Sequence, residues 1–271
     1  MLALGIVSFI LWLLFRWYYY QSFSKEKIDA AFASISSEYG IKIVYKIGDE
    51  FFSTLENPKL PNGPPRDSEV KAIRHRVLMR YPDVLQKALS KYPSVVIKHY
   101  LKAIYFAGEI EHDGERYGGT YDIYKKVVYL VDNGGNSRDQ AMYAFHHELT
   151  SLLLLSHTFY TAPWLKNNPK GFKYLDRIYD SWKDEKKVRE LITDIDCYEE
   201  GIVTNYGITS FSNDFSEYSA MIFTYPKKFN KIMDQYPRVR GKFKVWLEFY
   251  QKIDPIFTEE YLFGKTVRAS K

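Results

Sequence analysis

The sequence predicts an α+β domain, and three observations carry that prediction. Strand-forming runs are gathered in the middle of the chain, helical periodicity dominates the flanks, and a capped, very apolar helix follows the last strand. Strands segregated from helices in this way give a small mixed sheet rather than a doubly wound one. The chain has 271 residues, 46% hydrophobic and 26% charged, which is globular composition for one large domain or two small ones.

The first element is the N-terminal run LALGIVSFILWLLF, residues 2–15, followed by Arg16 and the cluster Trp17 to Tyr20. A spanning helix needs about 20 residues. The run reaches that length when Arg16 snorkels and the aromatics sit at the interface. No lysine or arginine precedes it and no small-x-small cleavage site follows, which argues against a cleaved signal peptide. Residues 1–21 are therefore expected to form a single-pass membrane anchor. Arg16, Lys25 and Lys27 all follow the run, and the positive-inside tendency then puts the domain on the cytoplasmic side.

Residues 22–93 read as a region of helices and one strand. Ile28, Phe32 and Ile35 have helical spacing over 24–38, with Ser24 to cap and Gly40 to close. IKIVYKI, 41–47, alternates as a strand, and NPKLPNGPPRD, 57–67, is a loop. Helices are expected over 68–81, stopped by Pro82, and over 83–92, stopped by Pro93.

From 94 the pattern turns to strands: SVVIKHYLKAIYFAGEI, then YGGTYDIYKKVVYLVDN as two segments with an irregularity at Gly118-Gly119. DNGGN, 132–136, is a turn. Ser137 and Gln140 then form a capping box, which opens a helix containing FHHELTSLLLL, Phe145 to Leu155. Leu152 to Leu155 make that helix apolar on every face, so its second half should be wholly buried. Loops to about 180, a helix over 183–198, and helices from Asp214 to Leu262 broken at Pro226, Pro237 and Pro255 complete a domain taken as 94–271.

Composition narrows the chemistry. The net charge of +5 is mild, and the densest basic group is Lys227, Lys228, Lys231, Arg238, Arg240, Lys242 and Lys244. It reads as the solvated faces of two helices rather than a nucleic-acid surface. The single cysteine, Cys197, excludes an intrachain disulfide and a cysteine-rich zinc site. There is no G-x-S-x-G elbow and no G-x-x-x-x-G-K-[ST] phosphate loop.

The remaining chemistry lies at His147-Glu148. A peptidase zinc takes about three protein ligands and an open position. An H-E-x-x-H helix supplies two ligands because residues four apart share a face, and its glutamate deprotonates the zinc water. Here Ser151 occupies the second histidine position. His146 points to another face, and His157 lies ten residues beyond His147. Neither replaces the missing ligand.

The pair gains meaning from its neighbours. The strand pattern KKVVYLVDN precedes the helix, and GIVTNYGITSFSNDFSEYSAMIF, 201–223, follows it. In that order these segments resemble the gluzincin metallopeptidases of the anthrax-lethal-factor-like type and related bacterial zinc-binding metallopeptidases, over roughly residues 95–260. The resemblance implies a zincin-like domain. It implies that His147 is the first zinc ligand, Glu148 the general base and Tyr206 the hydrogen-bond donor to the developing oxyanion. The other two ligand positions carry Ser151 and Asn213, and Glu217 orients His147 from the second shell rather than binding metal.

Neutral oxygen donors at 151 and 213 are not what zinc prefers. They point to a membrane-anchored pseudoprotease, without zinc, whose cleft binds a peptide or protein, by strand addition along 126–131. Retention of Glu148 and Tyr206 points instead to an active zinc metallopeptidase with an unusual ligand set. A membrane-tethered interaction domain of other ancestry is a third reading.

Overall fold

The computed structural model describes Trp12 and residues 25–52, 63–175 and 197–264. The anchor expected over 1–21 and the helix expected over 183–198 fall mainly outside them, though Cys197 and Tyr198 lie in a turn. Among the described residues no helix is long and apolar enough to cross a membrane.

The architecture is mixed α+β, with two small sheets and many helices. Helix α1 (Lys25–Tyr39) buries Ile28, Phe32, Ile35 and Tyr39, the stripe its spacing predicts. Strand β1 (Lys42–Val44) pairs in parallel with β3 (Ala103–Ala107), and β3 in parallel with β7 (Val127–Val131). The edge strand β6 (Gly119–Asp122) pairs antiparallel with β7. The two central strands are apolar throughout because helices and loops cover both their faces.

Alternation along the strands divides the core. Ile104, Phe106, Val128 and Leu130 face the main core, with Leu149, Leu152, Leu153, Tyr218 and Trp246. Ala103, Tyr105, Ala107, Val127 and Tyr129 face a smaller cluster around Phe51. A second sheet joins β2 (Glu69–Lys71), β4 (Glu109–His112) and β5 (Glu115–Arg116), all antiparallel. The main core and the larger sheet both draw on residues before and after 93.

Helix α5 (Arg138–Leu155) crosses beneath β6 and β7 and packs most extensively on α7 (Phe211–Thr224). Its start is fixed twice. Ser137 Oγ accepts from Gln140 N at 3.2 Å, and Gln140 Oε1 accepts from Ser137 N at 2.7 Å, which completes the capping box. The preceding turn is clamped by Arg80, which donates to Asp132 and to the Asn136 carbonyl, while Tyr81 donates to Asp132 at 2.9 Å.

Several expectations need correction. Residues 68–81 do not form one helix: β2 and the short α2 (His75–Leu78) occupy them, and α3 runs over Tyr81–Leu89. Pro82 lies in the first turn of α3, where a missing N–H costs nothing. Residues 94–100 are helix α4 (Ser94–Tyr100), not strand. Pro93 opens it, and burial of Val96 and Ile97 overrides the β preference of its branched residues. The end of α5 is not wholly buried, since Leu155 is 43% exposed at the last turn. Strand addition along 126–131 is closed, because β7 is paired on both sides and the sheet edge belongs to β6.

C-terminal to α5 come the short α6 (Ala162–Leu165), then α7, α8 (Pro226–Gln235), α9 (Pro237–Ile253) and α10 (Glu259–Phe263). The expected proline boundaries hold, with Pro226 and Pro237 each opening a helix. Lys242 does not belong to the solvated basic face: it is fully buried on the stripe Val239, Phe243, Trp246 of α9. Replacing Ser137 with Ala is expected to cost about 1 kcal/mol in urea denaturation, because both halves of the cap act on the helix that carries the site.

Candidate functional site

The site forms where α5 and α7 face each other. His147 Nδ1 lies 2.8 Å from Glu217 Oε1. The other oxygen of Glu217 accepts from Tyr143 OH at 2.6 Å and from the Thr204 hydroxyl. Tyr143 stands four residues before His147, so both reach Glu217 from one face of α5. Thr204 arrives from the loop before a 3-10 turn, Asn205–Ile208, which also carries Tyr206. The Tyr206 ring is 5.7 Å from that of His147, and Tyr206 is 42% exposed.

Glu148 points to the other side of the helix, toward the edge strand. A Cβ on Gly119 would sit 2.5 Å from Glu148 Oε1, so a side chain at the end of β6 would displace this carboxyl. The irregularity read at Gly118-Gly119 therefore has a steric reason. Ser151 and Asn213 are both engaged elsewhere. Ser151 Oγ donates to the His147 carbonyl at 3.1 Å and is 2.8 Å from Ser216 Oγ. The Asn213 amide donates to Thr209 Oγ1 at 2.7 Å.

Of the residues singled out from sequence, His147 and Glu217 are in direct contact and Tyr206 is adjacent. Glu148 lies against β6, Ser151 against Ser216, and Asn213 against Thr209. His146 belongs to a different environment, with Nδ1 2.9 Å from Tyr92 OH beside Phe223. His157 lies past the end of α5 beside Tyr100 and Phe249. Tyr143 and Thr204 were not anticipated. The i−4 spacing from His147 carried a signal for Tyr143, and nothing local marked Thr204.

The electrostatics follow from burial and mutual contact. Burial would raise Glu217, but the hydrogen bond and charge of His147, helped by Thr204 and Tyr143, hold its carboxyl below the ordinary range. Burial alone would lower His147. Its hydrogen bond to Glu217 and the charges of Glu148 and Glu217 outweigh that, and its pKa is raised. At Glu148 burial outweighs the compensation. Burial pushes it up to about 7, with Glu217 adding to the rise and His147 opposing it. A carboxyl poised near neutrality is suited to proton exchange.

The donor set does not fit a zinc ion. Beyond His147, the two positions that the resemblance implies as ligands carry a hydroxyl tied to its own helix and to Ser216, and an amide turned to Thr209. Among the described residues no group of three or more His, Cys, Asp or Glu is placed to hold a metal. One imidazole with two neutral oxygen donors is not the set of imidazoles and carboxylates zinc selects.

Glu148 is expected to impose a pH signature on stability. Its folded pKa lies above its unfolded one, so folding is favoured below about 4.5 and that contribution fades as pH rises through about 7. Glu148→Gln should match wild type near pH 4 and exceed it by roughly 3 kcal/mol at pH 8 in paired denaturation curves.

Comparisons with known proteins place the chain in a family. The profile of a family described as "putative zinc-binding metallo-peptidase" matches residues 27–260. The solved structure of a protein of the same description from Bacteroides caccae ATCC 43185 is similar, with a TM-score of 0.50 and 15% identity, covering 88% of this chain and 95% of that one. At that identity the likeness speaks for the fold alone. A search of curated proteins gives no match. The family profile spans most of the chain, including both halves of the site, and the chain belongs to the putative zinc-binding metallo-peptidase family.

Proposed function

We propose that this chain is a zincin-type member of its family, of the lethal-factor-like kind, whose zinc site has lost two of three ligands. Its cleft binds a peptide or protein partner without hydrolysing it, and its apolar N-terminal run tethers it to a membrane. The observation that carries this reading is the state of the two vacant ligand positions. Ser151 and Asn213 are hydrogen-bonded into the helix packing, while Glu217 still holds the imidazole of His147. A scaffold that keeps the orienting carboxylate and not the ligands is the expected remnant of a metal site.

The peptide would lie along the outer edge of β6. Strand addition supplies main-chain hydrogen bonds without demanding a sequence. The Gly119 end of that edge borders Glu148, whereas the Tyr121 carbonyl already accepts from Gly63 N at 3.2 Å. Tyr206, exposed beside His147, is positioned to donate to a bound carbonyl.

Metal analysis tests the reading. Full-length protein purified without chelators should retain well under one equivalent of zinc after dialysis. Ser151→His combined with Asn213→Glu should gain about one equivalent, because His147 is already oriented. Stoichiometric zinc in the wild type would overturn the proposal.

One observation favours a second reading. Burial pushes Glu148 up to about 7, next in sequence to His147, as a catalytic base would be. If the protein is an active metallopeptidase with an unusual ligand set, a chelator and Glu148→Gln will each abolish cleavage of a peptide library.

A further inference from the structure

One buried cluster lies outside the site just described. Asp214, in the first turn of α7, is fully buried, and its Oδ2 accepts three donors from three separate parts of the chain. Lys242 Nζ on α9 is at 2.6 Å, Trp164 Nε1 on α6 at 2.9 Å, and Tyr174 OH at 2.5 Å. Lys242 is itself fully buried, with Nζ 5.1 Å from the centre of the Trp164 ring and 6.0 Å from that of Phe172. Among the described residues Asp214 Oδ1 has no hydrogen-bond partner.

The same carboxylate touches the segment that carries Tyr206. A Cβ on Gly207 would lie 3.3 Å from both Asp214 Cα and Oδ1 and 3.1 Å from Ile202, so the turn after Tyr206 sits directly on Asp214. Leu175 N donates to the Ile208 carbonyl at 3.1 Å, which joins the Tyr174 segment to that turn. Asp214 also follows Asn213 on the helix whose next turn carries Glu217.

We infer that Lys242 is a positioning residue for the cleft: by neutralising Asp214 it holds the Trp164–Tyr174 segment and the Tyr206 turn against α7. A buried carboxylate without its cation would draw water or shift position, and every segment hydrogen-bonded to it would move with it. Both groups are fully buried and 2.6 Å apart, so each relies on the other for a partner charge. The inference takes from the proposed function only what the wall serves. The wall itself can be tested whether or not zinc or peptide binds.

Hydrogen–deuterium exchange of the full-length protein gives the test. Lys242→Met should raise amide exchange roughly tenfold over residues 162–175 and 204–209, with α1 and β3 unchanged. Adding Asp214→Asn removes the stranded charge while keeping an acceptor for Trp164 and Tyr174. That double variant should bring exchange back to within about threefold of wild type. Should Lys242→Met fail to fold, recovery of the fold in the double variant is the same rescue. Absence of a local rise, a uniform rise over the whole chain, or no rescue by Asp214→Asn would overturn the inference. Zinc analysis reads the cleft separately, so failure of either idea is recognisable on its own.

Discussion

The contact between His147 and Glu217 is the constraint on which the rest of the site depends. It is a charged hydrogen bond at 2.8 Å between the two helices that pack most extensively, and both partners are buried. A carboxylate in such a place is tolerated only if its oxygens are satisfied. Here one oxygen takes the imidazole and the other takes Tyr143 and Thr204. The loop bearing Thr204 and Tyr206 is thereby drawn to the same point as α5 and α7.

In a metal centre of this architecture a divalent cation would balance the acidic groups, and the carboxylate behind the histidine would sharpen its donor nitrogen. Among the described residues no group of three or more His, Cys, Asp or Glu is placed to hold a metal, and the charge balance falls on the side chains. The imidazole is driven toward its cationic form between Glu217 and Glu148, and Glu148 is driven toward neutrality by its dry position against Gly119. These buried groups lie beside an exposed tyrosine and near a sheet edge.

Much of the scaffold was legible because local rules and tertiary packing agree. Ser137 and Gln140 read as a capping box and form one; the two strand segments that become β6 and β7 and the boundaries at Pro226 and Pro237 follow from periodicity and proline chemistry. Reading failed where packing decides. Val95, Val96 and Ile97 favour a strand in isolation, yet α4 buries two of them against its neighbours. Lys242 looked like part of a charged face, although its place on the stripe of Val239, Phe243 and Trp246 put it inside. Pro82 was read as a stop when it marks a first turn. In the site, the His147–Glu217 relation followed from a family resemblance rather than from periodicity. The contact of Thr204 depends on a loop trajectory that no local pattern encodes.

The most direct test of the central claim is nitrogen-15 NMR of the His147 imidazole during a zinc titration. The account predicts that Nδ1 keeps its proton shared with Glu217 and that Nε2 is unmoved by an equimolar amount of zinc. A saturable shift of Nε2 to a metal-bound value, complete at one equivalent, would contradict it.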